Sequence, residues 1–241
     1  MILSRPEKVH SLVSREALSA AQRDEMFALL SRYFDGVTRA QFESDLAEKN
    51  WVVEIRRAGD LVGFSTLLVR EEKCAGALLT AVYSGDTLVA PEAWGSPLLA
   101  RNWIAAVNHL RAEFPSRPCY WLLLTSGFRT YRFLPVFWRE FFPRHDTLTP
   151  AREQRLLDEL AGSKYGDDYD ASTGIVRFPR PQMLRPVLGA VPPGRAADEH
   201  IGFFLTHNPG HASGDELACI TQIDDSNLTP AGRRIVTGAR R

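Results

Sequence analysis

Cysteine is scarce in this chain and badly placed for the work it usually signals. The 241 residues hold only Cys74, Cys119 and Cys219, an odd number set far apart. No Cys-x-x-Cys and no Cys/His pair stands at metal-ligand spacing, so the sequence offers neither a zinc site nor a disulfide framework. Free, buried thiols in a reducing compartment are the expectation. Net charge is also missing: Lys plus Arg equals Asp plus Glu, 29 each. That removes any global attraction to nucleic acid or to an anionic membrane. No apolar run approaches the roughly 18 residues that span a bilayer, and residues 1–8 lack the apolar stretch of a signal peptide. A soluble, cytoplasmic protein is expected. There is no nucleophile elbow, P-loop or dinucleotide fingerprint, no internal repeat and no low-complexity tract.

What is present is a hydrophobic fraction of 44%, enough in a chain of this length to bury a sizeable core. Residues 9–13 read as a short first strand. Leu18, Ala21, Met26, Leu29 and Leu30 then fall near helical spacing up to Tyr33, and Asp35-Gly36 breaks the helix. Thr38 caps a second helix with Phe42, Leu46 and Ala47 on one face. Residues 51–56 and 61–69 form a hairpin about Ala58-Gly59-Asp60. Residues 78–89 make another long strand, and Ser84-Gly85-Asp86 inside it predicts a bulge or the close approach of another chain. Residues 98–114 are helical, with Leu98, Leu99, Trp103, Ala106, Val107 and Leu110 sharing a face. Residues 119–124 are continuously apolar, the pattern of a strand buried on both faces. A helix over 128–134 follows, kinked or restarted by Pro135. Thr149-Pro150 opens a helix through residue 160. Residues 174–178 are strand-like, and 201–206 and 216–223 read as a closing pair of strands. The tail from Leu228 is basic and expected to fray.

This order of elements resembles the GCN5-related N-acyltransferase (GNAT) superfamily. The local resemblance lies in Asp86-Thr87-Leu88-Val89-Ala90-Pro91-Glu92. Family members similarly carry an acidic or polar residue and then apolar-x-Val-x-Pro-Glu at the end of the fourth strand. The resemblance implies an α/β (α+β) fold with a mixed, mainly antiparallel sheet flanked by helices. Its core would span residues 1–146, with a helical and loop insertion over 147–198, a closing strand pair over 199–226 and a basic tail over 227–241. It further implies an enzyme that moves an acyl group from a thioester, acyl-CoA or acyl carrier protein, to an amine of a small molecule. No tightly bound cofactor and no metal are expected. The other readings are a GNAT-fold protein without transfer activity that binds a small ligand or a protein partner, and a cleft kept for other chemistry in a biosynthetic pathway.

The next family motif is Arg/Gln-x-x-Gly-x-Gly/Ala, whose backbone amides and helix N-terminus hold the coenzyme A pyrophosphate. Here Trp94, Gly95, Ser96, Pro97, Leu98 and Leu99 stand in its place. Pro97 has no N–H to donate and Leu99 crowds a close approach. The loop is eroded, which argues against ordinary coenzyme A binding. The donor contacts that the resemblance assigns are Val89, Trp94, Gly95 and Ser96. Thr125 and Ser126 join them at the end of the buried strand, where ligands collect in open α/β sheets; capping the next helix is the alternative for both.

An enzyme of this kind takes a proton from the amine and returns one to the sulfur. Asp86, just past the expected bulge, is the base candidate; the alternative is a strand carboxylate that faces solvent or caps the bulge. Ser84 and Tyr83 flank it. Tyr131 is the acid candidate, with core packing beside Phe128, Leu134 and Phe137 as the alternative. Seven aromatics within residues 128–142 suit an acyl pocket or a dense core seam. Arg129, Arg132, Arg139 and Arg144 suit an acidic carrier protein, or ion pairs with Glu140 and Asp146. His207 and His211 bracket Asn208-Pro209-Gly210, which forbids the helix that His-x-x-x-His needs to hold a metal, so a polar hairpin turn is expected.

Overall fold

The computed structural model of the protein describes residues 11–237 apart from 75, 116 and 196. The first part of the expected opening strand and the last residues of the tail lie outside the described residues. Strand β1 (Leu12–Ser14) leads to helix α1 (Ala20–Tyr33), started by a capping box between Ser19 and Gln22. After β2 (Phe34–Asp35), Thr38 caps α2 (Arg39–Ala47) by accepting from the Gln41 amide. Three strands follow: β3 (Trp51–Arg57), β4 (Asp60–Cys74) and β5 (Ala77–Val89). Next come α3 (Leu98–Arg111), the fully buried β6 (Cys119–Thr125), α4 (Phe128–Tyr131), α5 (Phe133–Phe137) and β7 (Phe141–Phe142). The expected helix over 128–134 is thus two short helices, divided at Arg132.

The remainder comprises α6 (Ala151–Tyr165), β8 (Tyr169–Asp170), β9 (Ile175–Val176), β10 (Met183–Leu184), α7 (Pro186–Gly189), α8 (Glu199–His207), β11 (Glu216–Gln222) and α9 (Pro230–Thr237). The main sheet runs β1-β3-β4-β5-β6-β11-β9-β8, with β7 also on β11. Its neighbours are antiparallel except β5 and β6, which are parallel. This is the mixed, mainly antiparallel sheet flanked by helices that the sequence implied.

Side chains alternate across the sheet with period two. Val53, Leu67, Val82, Trp121 and Leu123 face α3, α4, α5 and α8. On the other face Val52, Phe64 and Leu88 pack under α1 and α2. Ala81, Tyr83, Leu122 and Ala218 on that same face pack under α6. Helices α2 and α6 therefore share one face of the sheet, and the cleft described below opens between their C-terminal ends.

Two expectations change. Residues 201–206 are not a strand but part of α8: the Asp198 side chain accepts from the Ile201 amide, and Ile201 and Phe204 are buried three residues apart. A short apolar run fits both periods, and the cap decides between them. The closing strand pair over 199–226 is therefore a helix and one strand, and β11 takes β6 as its antiparallel partner from Leu217↔Thr125 to Gln222↔Tyr120. The tail does not fray over α9, which packs on α3 and α5; Gly232 comes so close to the Phe137 carbonyl that an added Cβ would stand 2.6 Å from it. Of the two readings of the aromatics over 128–142, the structure shows the core seam, in which the Trp103 and Trp121 rings lie 4.1 Å apart and Trp138 meets Trp103 edge-on. Among the described residues no helix is long and apolar enough to cross a membrane.

Candidate active site

The site begins with a fault in the strand ladder. Strands β5 and β6 pair from Thr80↔Cys119 to Ser84↔Leu123 and then part, although β5 continues to Val89. On its other edge Ser84 opposes Leu67 while Thr87 opposes Ser65, so Gly85 and Asp86 together face Thr66. This is the expected bulge, and such bulges re-aim side chains next to binding sites. Gly85 is required here: a Cβ would stand 2.6 Å from both Lys49 Cε and Thr66 Oγ1.

Where the strands part lies a cleft of about 620 Å³. Residues 84–87 of β5, residues 124–127 at the end of β6, and Glu216 of β11 form one side of it. Asp45, Glu48 and Lys49 line it from the end of α2, and Lys164 and Tyr165 from the end of α6. Phe178, Arg180, Gln182 and Leu184 complete the wall. The Lys164 ammonium pairs with Glu48, tying the segment over 147–198 to the core across the cleft.

Burial dominates the electrostatics of this cleft. It pushes Asp86 up to about 6, with Lys49 opposing and Asp45 reinforcing the shift. It pushes Glu216 further, up to about 8, with Asp86 and then Asp45 adding repulsion. Burial lowers Lys49, and Asp86 acts against it. The Tyr165 phenol is raised by burial first and by Glu216 second, so it keeps its proton across the physiological range. The cleft thus holds a carboxyl poised near neutrality, a second carboxyl that keeps its proton to higher pH, and a phenol that stays protonated. That set can both accept and donate protons at neutral pH.

Five of the sequence-selected residues meet in the cleft: Asp86, Ser84, Tyr83, Thr125 and Ser126. The Ser84 hydroxyl accepts from Trp121 Nε1 at 2.9 Å. Thr125 Oγ1 bonds the carbonyl and amide of Gly127 at 2.9 and 3.0 Å, so it caps the turn into α4. Tyr131 is elsewhere. It is fully buried, donates to the Pro143 carbonyl at 3.0 Å and packs against Phe203 and Phe204. It faces this core and does not line the cleft.

Val89, Trp94, Gly95 and Ser96 also lie outside the cleft lining. The loop is occupied by its own side chains: Trp94 Nε1 donates to the Val89 carbonyl at 3.0 Å, and the Ser96 hydroxyl accepts from the Leu98 amide at 3.3 Å. Gly95 takes a φ of +83° between them. The Arg129 guanidinium stacks 3.8 Å from the Trp94 ring centre.

Of the arginines considered for a carrier protein, Arg144 takes the alternative and pairs with Asp146 and Glu140. Arg129 stacks on Trp94, Arg132 pairs with Asp198 at 3.2 Å, and Arg139 borders a separate hollow beside Tyr120 and Asn227. His207 stacks on Phe203 at 3.8 Å and His211 lies against Phe204, so both are packing groups rather than parts of a hairpin turn. Among the described residues no cluster of His, Cys, Asp or Glu is arranged to hold a metal. Lys49, Asp45, Tyr165 and Glu216 are among the cleft residues that the sequence does not announce. They come from three distant segments, and only the small residue at Gly85 hints that something must approach there.

No family model matches the chain, and no curated protein matches it by sequence. The solved structures to which it is similar include members of the GNAT family. A probable N-acyltransferase from Enterococcus faecalis matches with a TM-score of 0.43 and 15% identity, over 54% of this chain and 32% of that one. The GNAT family N-acetyltransferase YhbS from Escherichia coli, in complex with CoA, gives 0.37 and 19%, over 51% of this chain and 66% of that one. An aminoglycoside 6′-N-acetyltransferase complexed with coenzyme A gives 0.39 and 13%, over 88% of this chain and 97% of that one. The chain therefore spans about a third of the enterococcal protein's length. At these scores the likeness is distant.

Proposed function

We propose that this protein transfers an acyl group from a thioester to an amine bound in the cleft between α2 and α6. The observation that carries the reading is the placement of Asp86: the bulge turns it into the cleft at the point where β5 leaves β6. A thioester arm laid between the parted strands brings its carbonyl beside Ser84 and Gly85. Asp86 takes the proton from the attacking amine, and a value near 6 leaves it mostly ionised at neutral pH. The thiolate leaving group needs a proton in return. Two phenols line the cleft, Tyr83 and Tyr165; the Tyr83 hydroxyl is already committed to Glu72 at 2.8 Å, so the acid role passes from Tyr131 to Tyr165, which holds its proton there. Glu216, protonated to about 8, can donate a hydrogen bond to the acceptor or the acyl oxygen.

A cleft lined by these titratable groups favours catalysis over ligand storage. Acyl-CoA and acyl carrier protein both present the same pantetheine thioester, and the filled loop at Trp94 weakens the case for a grip on pyrophosphate. Thermal-shift titration with acetyl-CoA, longer acyl-CoAs and an acylated carrier protein tests the reading, because a ligand that binds only the folded state raises its stability. A rise with at least one thioester is expected, followed by thiol release in the presence of a panel of amines. Failure of every thioester to stabilise the protein would overturn it.

A further inference from the structure

The cleft already contains an amine belonging to the protein itself. Lys49 follows the end of α2, lines the cleft, and lays its Cε and Nζ over Gly85 of the bulge. The site a Cβ of residue 85 would occupy is 2.6 Å from Lys49 Cε and 3.4 Å from Nζ. The Nζ donates to the Asp45 carbonyl at 3.1 Å and forms no close ion pair among the described residues. Burial disfavours its ammonium form. Beside it stands Thr66 Oγ1, a buried hydroxyl without a hydrogen-bond partner among the described residues.

The basic residues of the chain make this lysine unusual. Only Lys8, Lys49, Lys73 and Lys164 are lysines among the 29 basic residues. An arginine satisfies a carboxylate as well or better and cannot serve as an amine nucleophile. Lys164, the other cleft lysine, is held by Glu48. Lys49 is thus the cleft amine set against the bulge, next to the proposed base.

We propose that Lys49 is a site of self-acylation. Its neutral Nζ attacks the carbonyl carbon of a thioester bound between the parted strands. The C–N bond forms and the C–S bond breaks. The amine's proton passes to Asp86, and the departing thiolate takes a proton from Tyr165 and leaves as a free thiol. The product is a neutral amide, which the cleft cannot return to a thiol without an energetic donor. It removes a cation and fills space that an acceptor must use, so the modification turns the enzyme down as donor accumulates without acceptor. The inference rests on the transfer reading above and deepens it.

The test uses the full chain and acetyl-CoA alone, with peptide mass mapping of all four lysines and a parallel thermal-shift titration. Acetylation of Lys49 is expected at least about tenfold faster than of Lys73 in the folded protein, because a held amine and thioester react as one molecule. The preference should vanish in urea and slow in Asp86→Asn. Lys49→Arg should remove the fast acetylation and leave the slow labelling of Lys73 unchanged. If acetyl-CoA raises the melting temperature while Lys49 reacts no faster than Lys73, self-acylation is wrong and the transfer reading stands. If acetyl-CoA neither stabilises the protein nor marks Lys49 selectively, the inference falls, and the transfer reading is left to the other thioesters.

Discussion

Asp86 raises the proton affinity of Glu216 across the cleft, although the two stand on strands that share no ladder. Strand β6 lies between β5 and β11, and the two carboxyls line one cleft where β5 leaves β6 after Ser84. Both hold their protons to a higher pH in the folded protein than in an unfolded chain, so between the ordinary carboxylate range and about 8 the native state binds more protons. Stability must fall as pH rises through that window. The contribution is whole below the ordinary range and gone above about 8. Glu216→Gln should flatten the decline, with melting temperatures at about pH 5 and about pH 9 as the measurement. An equal drop in both proteins would show that Glu216 ionises freely.

Transfer should depend on Asp86 in the opposite sense. As the base it must be ionised, so the rate is expected to rise with pH through about 6 and then level. Asp86→Asn should lower kcat by roughly 100-fold with little change in acceptor KM. A pH–rate profile that survives the substitution would remove Asp86 from the chemistry.

Two tyrosines separate structure from catalysis. Tyr131→Phe loses a buried hydrogen bond to Pro143 and should cost about 0.5–1.5 kcal/mol in urea unfolding, with the turnover rate unchanged. Tyr165→Phe should do the reverse, leaving stability nearly intact and lowering kcat by roughly 100-fold. Exchange of these two outcomes would restore Tyr131 to the acid role.

Gly85→Ala places a methyl group 2.6 Å from Thr66 Oγ1 and Lys49 Cε. The lysine end can swing aside, but Thr66 belongs to the paired strand β4. A loss of about 1–3 kcal/mol is expected, with weaker thioester binding because the bulge must shift. Wild-type stability and thioester affinity in this variant would mean that the bulge does not shape the site.

Trp94 and Arg129 join the loop after β5 to the start of α4. Removing the guanidinium by Arg129→Ala should cost about 0.5–1 kcal/mol and expose the Trp94 ring. A red shift in the emission lost on Trp94→Phe measures it, and an unchanged spectrum would show that the stack contributes nothing in solution.

Much of the architecture was legible in the sequence because it follows from local rules. The alternation in β3 and β4, the apolar run of β6, the Thr38 cap and the face of α3 are each set by neighbours a few residues apart. Ser84-Gly85-Asp86 announced a bulge because a glycine in a strand leaves room for something to approach. Residues 201–206 were ambiguous for the same reason: a run that short fits either period, and the Asp198 side chain selects the helix. The cleft was only half visible. Asp86, Ser84, Thr125 and Ser126 follow from where the strands end, whereas Lys49, Tyr165 and Glu216 are brought in by long-range packing. By itself, then, the sequence determined strands β3 to β6, helices α1 to α3 and the place where β5 bends. Which side chains fill that bend was decided by tertiary structure alone. Helix α6 and the end of α2 must bury one shared face of the sheet, and that packing places an amine, a phenol and a second carboxyl around Asp86.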